Sequence, residues 1–155
     1  MKKRIIFIII STLVLGSILS ATVIQKDFKF DEPTINKIGN YDRISIDGLS
    51  YTYEPGYPEL PALPVQIIIP AGEEAVNVEV SYTENESVIG SYNVYPRQKP
   101  YPISYKGEIS FIKPEIETYS KNEFYPAELV SEVTTQYLRG HSIALLSLYP
   151  IQYNP

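Results

Sequence analysis

Apolar and polar residues alternate with a period of two in three segments of this chain, 22–33, 41–46 and 76–82. A strand places successive side chains on opposite faces, so this alternation predicts strands that bury one face. We expect the first segment to form an edge strand, and the third has the most regular alternation. The apolar positions are Phe28 and Phe30, then Ile44 and Ile46, then Val76, Val78, Val80 and Tyr82.

Two further segments are apolar almost without interruption. Residues 66–69 end at Pro70, and residues 141–148 follow Gly140. Strands that are buried on both faces show such continuous apolar runs. We therefore expect two central strands here, each covered on both sides.

The dipeptide Asp47-Gly48 separates residues 41–46 from residues 49–53. Glycine adopts positive φ without a steric penalty, so Asp-Gly between alternating segments is a strong hairpin signal. We expect residues 49–53 to return as the partner strand of 41–46.

Two proline-rich stretches interrupt the strands. Residues 55–64 contain four prolines, which exclude a helix and favour an extended path. Residues 94–123 are predicted to form a long loop with short strands such as Ile109–Ile112, and long irregular connections in compact domains are often functional. This second stretch carries five basic residues, Arg97, Lys99, Lys106, Lys113 and Lys121.

The chain begins with three basic residues, at positions 2–4, followed by an apolar segment over residues 5–19. This order, with small residues ending at Ala21, is typical of a secretory signal peptide. The apolar segment is shorter than the roughly 20 residues of a spanning helix, which disfavours an uncleaved anchor. We expect a Sec-type signal peptide over residues 1–21, cleavage after Ala21, and one extracytoplasmic bacterial domain over residues 22–155 that has no membrane contact.

Composition supports an all-β fold and excludes several classes of function. Fourteen Tyr and thirteen Pro, with no Trp, favour strands that are separated by abrupt stops. Removing the three basic residues of the signal takes the formal charge from −5 to −8. Nucleic-acid partners are therefore not expected, because phosphates require clustered basic residues. With no Cys, the chain has neither a disulfide nor a thiol nucleophile.

No arrangement of residues suggests catalysis by this chain itself. His141 is the single histidine, and its neighbour Ser142 would point to the opposite face of a strand. We interpret His141 as a polar residue at a strand start, because a triad requires the two side chains to meet. One histidine cannot anchor a transition-metal site, and we interpret the acidic pairs 31–32 and 73–74 as solvated loop residues. No cofactor or metal is expected.

Four motifs, in order along residues 28–155, resemble the propeptide domain that precedes the catalytic part of gingipain-type, family C25 cysteine peptidases. The first is Gly-Tyr-Pro-Glu-Leu-Pro at 56–61 with the apolar strand ending in proline, and the second is Tyr-Pro-Arg-Gln-Lys-Pro at 95–100. The third is Tyr-Pro-Ala-Glu at 125–128, and the fourth joins Arg-Gly at 139–140 to the final Pro-Ile-Gln-Tyr-Asn-Pro. The matching residues are Gly56, Pro58, Leu60, Pro61, Pro70, Pro96, Gln98, Pro100, Tyr125, Pro126, Arg139, Gly140, Pro150, Gln152, Tyr153, Asn154 and Pro155.

The resemblance implies a single β-sandwich domain, jelly-roll-like, that assists the folding of a secreted cysteine endopeptidase and keeps it latent. Its partner would be the C25 catalytic domain, in cis if the chain is the N-terminal fragment of a precursor and otherwise in trans. The resemblance also implies that a basic residue on an exposed loop blocks the specificity pocket. Lys106 and Lys113 are the first candidates, followed by Arg97, Lys99 and Lys121. The catalytic Cys and His would lie beyond Pro155.

A different class of function stays open at this point. A stand-alone secreted β-sandwich could bind carbohydrate or protein, with exposed tyrosines stacking on sugars. Tyrosine in small β domains more often packs between strands with its hydroxyl at the rim, and here tyrosines cluster in proline-rich turns. The sequence therefore favours packing over a glycan surface.

Overall fold

The computed structural model describes residues 5–13, 22–82 and 86–155, the first range by its backbone. These residues form nine strands and one short helix, so the predicted all-β class is confirmed. The strands are β1 (Ile5–Leu13), β2 (Thr22–Lys29), β3 (Thr34–Ile38), β4 (Tyr41–Ser45), β5 (Ser50–Tyr51), β6 (Pro61–Ile69), β7 (Glu74–Tyr82), β8 (Thr134–Leu138) and β9 (His141–Leu148), and the helix is α1 (Ile116–Ser120).

An antiparallel four-stranded sheet in the order β5-β6-β9-β8 forms the centre of the domain. Its two long strands, β6 and β9, pair with Ile67 opposite Ala144. Strands β8 and β9 form a tight hairpin, in which Arg139 and Gly140 both have positive φ, as a two-residue type I′ turn requires. The expectation that β6 is covered on both faces is wrong, because Ile68 is 69% exposed.

A second sheet, in the order β2-β1-β7, faces the first across a hydrophobic cluster. The four-stranded sheet contributes alternate residues of β6 and β9 to this cluster, and the second sheet contributes partly buried residues of β2 and β7. The inward side chains are Val65, Ile67, Ile69, Ala144, Leu146 and Leu148 from one sheet, and Ile24, Phe28, Ala75, Val78 and Val80 from the other. Burial of these apolar faces holds the two sheets together.

The central strand of the second sheet lies within the predicted signal peptide. β1 pairs antiparallel with β2 on one side and with β7 on the other. The predicted cleavage point at Ala21 lies outside the described residues, and cleavage stays a prediction.

The predicted hairpin of residues 41–46 and 49–53 is wrong in its pairing. The turn at Asp47-Gly48 exists, since the N–H of Leu49 donates to Ile46 O at 3.2 Å. However, β4 pairs with β3, and β5 pairs with the first residues of β6. The short strand β3 shows no clear period-two alternation in the sequence, so the sequence does not predict that it pairs with β4.

A smaller cluster of Ile44, Leu60 and Val94 lies beside the β3–β4 hairpin. Here isolated bridges replace regular strands, joining Asp42 to Val94 and Pro58 to Pro96. This region holds the proline-rich segments, because proline cannot supply the donors of a continuous ladder. The predicted strand at Ile109–Ile112 is absent among the described residues, and the short helix α1 follows instead.

Candidate functional site

The basic, proline-rich stretch folds as a loop on a compact base. We call residues 99–111 the basic loop. Its base consists of residues 56–59, 96–98 and 112–115, which we call the neck. The neck packs beside the smaller hydrophobic cluster, where Leu60 and Val94 have no exposed surface.

Backbone hydrogen bonds through Gly56 and Tyr57 join the three segments of the neck. The N–H of Gly56 donates to Arg97 O and the N–H of Arg97 donates to Tyr57 O, both at 2.8 Å. On the other side, the N–H of Glu115 donates to Gly56 O at 2.9 Å. Gly56 has φ +88°, and a Cβ there would lie 3.4 Å from Lys113 O. Glycine is therefore favoured by the backbone angle, whereas the contact of an added Cβ would be close to an ordinary van der Waals distance.

The side chain of Gln98 connects the two ends of the basic loop. Its Nε2 donates to Ile112 O at 3.0 Å and to Pro96 O at 2.9 Å. Its Oε1 accepts from the N–H of Ile112 at 2.8 Å. One amide thereby satisfies both backbone groups of Ile112, as a neighbouring strand would.

One residue of the neck, Glu59, is a buried carboxylate that lies between two arginines. Its side chain is 1% exposed, and it pairs with Arg43 Nη2 at 2.6 Å and with Arg97 Nη1 at 2.7 Å. Arg43 also lies over the rings of Tyr51 and Tyr95, at 5.3 and 5.4 Å from their centroids. Burial alone would lower the pKa of Arg43, but the hydrogen bond and charge of Glu59 raise it above its usual value. Buried charges of this kind are tolerated only when they are paired.

The helix α1 anchors the chain after the basic loop. Glu115 caps it by accepting from the N–H of Thr118 at 2.7 Å, and this bond lowers the pKa of Glu115. Tyr119 then donates its hydroxyl to Val94 O at 2.9 Å. Burial, followed by the nearby phenol of Tyr153, raises the pKa of Tyr119 well above its usual value.

The basic loop itself has few attachments. The rings of Tyr101 and Tyr105 stack with their centroids 4.7 Å apart, and the N–H of Tyr105 donates to Pro102 O at 2.9 Å. Phe111 packs its ring against Tyr41 and Tyr95 at the base, 5.8 and 6.0 Å away. Ile103, at the tip, is fully exposed to solvent.

The five basic candidates occupy different environments. Lys106 is exposed directly after the Tyr101–Tyr105 stack, and Lys113 is exposed at the neck. The other three have partners, since Arg97 pairs with Glu59, Lys99 lies over the Tyr101 ring, and Lys121 pairs with Glu117. Arg97 is therefore held in the neck and is the least suited of the five to enter a pocket. The blocking role of the others stays a prediction.

The third motif and the final residues of the fourth lie together in space. Tyr125 and Tyr153 exchange two backbone hydrogen bonds of 2.8 Å. Gln152 Nε2 donates to Pro126 O at 2.8 Å, beside the cis peptide bond that precedes this proline. The hydroxyl of Tyr153 reaches Tyr92 O at 2.8 Å. These motif residues therefore form a structural junction, which meets the neck where the rings of Tyr57 and Tyr125 lie 5.5 Å apart.

Sequence reasoning did not single out Glu59, Arg43 or Tyr119, although the structure gives them the most buried polar contacts of the site. Glu59 stands at a variable position of its motif, between Pro58 and Leu60. No periodicity operates in that proline-rich stretch, so no signal marked it as buried.

Other candidate chemistries can be placed as well. His141 is exposed at the start of β9, while Ser142 is fully buried and accepts from the N–H of Gly72 at 3.0 Å, so the two do not act together. Within the described ranges, no group of three or more His, Cys, Asp or Glu is placed to hold a metal ion. The same residues contain no helix that is long and apolar enough to span a bilayer.

Eight of the fourteen tyrosines contact another aromatic ring, whereas Tyr53, Tyr82 and Tyr137 are more than half exposed. Ring contacts join Tyr41 to Tyr95 at 5.9 Å, Tyr57 to Tyr125 at 5.5 Å, and Tyr119 to Tyr153 at 6.1 Å. Such tilted and edge-to-face pairs stabilise the interior of a fold. Their position favours packing over a sugar-binding surface.

Comparison with protein families identifies the chain. The model of the C25 propeptide family, Propeptide_C25, matches residues 14–155. The chain belongs to this family. It is thus a C25 propeptide domain, and it contains no cysteine.

Relatives and solved structures agree with this assignment. The chain is 30% identical to Lys-gingipain HG66 of Porphyromonas gingivalis over 134 residues, and equally to Lys-gingipain W83 over 135. These matches cover 82% of this C25 propeptide but 8% of the relatives' length. A structure of gingipain K from P. gingivalis, described for its zymogenic latency, matches with TM-score 0.64 and 30% identity, covering 81% of this chain and 72% of that one. A complex of RgpB pro- and mature domains from the same species shares the fold, with TM-score 0.56 and 16% identity over 93% of this chain and 75% of that one.

Proposed function

We propose that this C25 propeptide acts as an intramolecular chaperone and a latency inhibitor of a secreted cysteine endopeptidase. Its partner is the C25 catalytic domain, in cis within a precursor or in trans if the two are separate chains. Export occurs through the signal peptide of residues 1–21, after which the domain is extracytoplasmic. The latency described for the gingipain K structure supports this role.

The observation that carries the proposal is the exposed basic loop on a rigid neck. Lys106 extends from a loop whose two ends are fixed by Gln98 and by the Glu59–Arg97 pair. A cation in an otherwise acidic domain suits a peptidase pocket that selects basic side chains. Fixing the loop before binding reduces the conformational entropy lost on association. Lys106 is accordingly the residue that blocks the pocket, in preference to Lys113 at the neck.

The chaperone role follows from the same rigidity. The side chains described in its main hydrophobic cluster all lie within residues 22–155, so the domain can fold before the much longer segment that its relatives carry. A folded template that binds the active-site cleft stabilises the native catalytic domain, since a partner that binds the native state lowers its free energy.

The test measures how strongly two inhibitors, the original 155-residue chain and its Lys106→Ala variant, inhibit mature Lys-gingipain. The activity of the peptidase is followed by hydrolysis of a lysine peptide substrate. Loss of a central charged anchor is expected to weaken inhibition about a hundredfold. Lys26→Ala, an exposed lysine on β2, is the matched control and should inhibit like the original chain.

Two results would contradict the proposal. The original chain could fail to inhibit at any concentration, which would remove the latency role. Alternatively, Lys106→Ala could inhibit as strongly as Lys26→Ala, which would place the contact elsewhere on the surface. Glycan binding that is lost on Tyr→Ala changes, without any effect on a peptidase, would favour the stand-alone binding module.

A further inference from the structure

The amide of Gln98 is the part of the neck that holds the two ends of the basic loop at a fixed separation. Its three hydrogen bonds, of 2.8 to 3.0 Å, reach Pro96 on one side and both backbone groups of Ile112 on the other. An exposed loop of thirteen residues, 99–111, lies between these two anchor points. One side chain therefore joins the two ends of the loop directly, beside the backbone bonds through Gly56 that reach Arg97 and Glu115.

The interior of the basic loop offers little to replace that connection. Among the described residues, its internal backbone hydrogen bond is the one from Tyr105 to Pro102. The tyrosine stack lies at the tip, and Phe111, whose ring packs at the base, is still 49% exposed. Loss of the Gln98 bonds would thus loosen the end of the loop at Ile112, while the bonds through Gly56 still hold Arg97 and Glu115.

An exposed lysine on a loop is a substrate for a lysine-directed peptidase as much as an inhibitor. Hydrolysis consumes one water and leaves a carboxylate and an amine as new chain ends. When both flanks are fixed, these ends stay next to each other in the cleft, which disfavours completion of the reaction and release. When the two ends of the loop are not fixed, the loop adapts to the cleft, its peptide bond is hydrolysed, and the cut chain dissociates from the peptidase.

We propose that Gln98 is the positioning residue that makes the basic loop an inhibitor rather than a substrate. This inference rests on the proposed function, that the loop blocks a peptidase. Gln98 acts through Ile112 and Pro96 and does not itself contact the peptidase. Its effect therefore appears in the balance between inhibition and scission, which a residue that only stabilises the domain would not change.

The experiment uses Gln98→Met in the 155-residue chain, because methionine keeps the length of glutamine and removes its amide. The matched control is Gln152→Met, since Gln152 also donates to two backbone carbonyls, those of Pro126 and Ala127, far along the chain from the loop. Each chain is mixed with mature Lys-gingipain, and both the inhibition constant and the rate of scission within 99–111 are measured, the latter by mass spectrometry. Gln98→Met is expected to inhibit about tenfold more weakly and to be cut about tenfold faster. Gln152→Met should match the original chain in both.

Equal inhibition and equal scission for Gln98→Met and the original chain would overturn the inference, as would equal changes in both variants. If the original chain does not inhibit, the proposed function fails, but trypsin can still test whether Gln98 holds the two ends of the loop. Faster cutting of Gln98→Met within 99–111 would support that role, and equal cutting would oppose it.

Should Gln98→Met not fold, hydrogen exchange in the original chain decides. The Ile112 amide should then exchange more slowly than the amides of 103–108, and equal rates would refute the role of Gln98.

Discussion

The neck and the basic loop are adjacent in sequence and rich in the same residue types, yet they are held in opposite ways. In the neck, Arg97 has its guanidinium on a buried carboxylate and its backbone in two hydrogen bonds. In the basic loop, Lys106 is exposed and its neighbours make few bonds. Basic residues nine positions apart therefore serve different purposes, one in holding the scaffold and one in presenting a charge.

This contrast separates stability from recognition. Changes in the neck should reduce the free energy of unfolding, whereas changes at the tip should alter binding and leave folding intact. Three substitutions in the neck and its supports test this division, and they are given from the largest expected effect to the smallest.

Glu59→Ala should cause the largest loss, about 3 kcal/mol of unfolding free energy, because it leaves two partly buried arginines without their shared carboxylate. Chemical denaturation measures this loss. Glu117→Ala is the control, since its pair with Lys121 is exposed and 3.5 Å long, and it should change stability by less than about 0.5 kcal/mol. Similar losses in the two variants would show that the buried cluster does not support the neck.

Gly56→Ala should lower the free energy of unfolding by about 2 kcal/mol, mainly from backbone strain at φ +88° and to a smaller extent from the 3.4 Å contact of the added Cβ with Lys113 O. Gly72→Ala separates the two causes, because it has φ +82° with nothing within 4 Å of the added Cβ. The difference between the variants in thermal denaturation reports the close approach in the neck. No difference would mean that the neck relaxes around the methyl group.

Tyr119→Phe should have the smallest effect. It should lower the free energy of unfolding by about 1 kcal/mol near pH 8, because the carbonyl of Val94 loses its hydrogen-bond donor. Tyr137→Phe is the control, since its hydroxyl bonds Glu74 at an exposed site and should contribute less. Both are compared by chemical denaturation.

The pH dependence of the free energy of unfolding gives a second test of the burial of the Tyr119 hydroxyl. The pKa of Tyr119 is raised in the folded state, mainly by burial, whereas the unfolded chain ionises near pH 10. The unfolded state therefore loses protons first, and the free energy of unfolding should fall as pH rises above about 10. Tyr119→Phe should show a shallower fall than the original chain, and an identical slope would contradict the burial of this phenol.

The sequence predicted the strands wherever a regular period was present. The alternation in 76–82 gave β7, and the apolar run of 141–148 gave β9 with its turn at Gly140. The pairing of β4 could not be predicted, because partner choice depends on which edge the rest of the chain leaves open. The exposure of Ile68 could not be predicted for a related reason, since a continuous apolar run does not show whether one or both faces of its strand are covered by other elements.

The candidate site was predicted in part. The proline-rich, basic composition located the loop, and the family motifs marked Gly56 and Gln98 without showing what they do. Their roles depend on segments about forty and fourteen residues away, so they became visible only when the chain was folded. The burial of Glu59 was hidden for the same reason, since its two arginines lie 16 and 38 residues from it.

Strand β1 is part of the predicted signal peptide and is also the central strand of the second sheet. It separates β2 from β7 and occupies a hydrogen-bonding position toward each. Neighbouring strands are about 4.8 Å apart, so cleavage after Ala21 would leave a gap of roughly 10 Å with unpaired backbone on both sides. The two strands would then have to move together or accept another chain between them. Cleavage would in that case rebuild the second sheet, and the chain before and after cleavage would differ in architecture as well as in length.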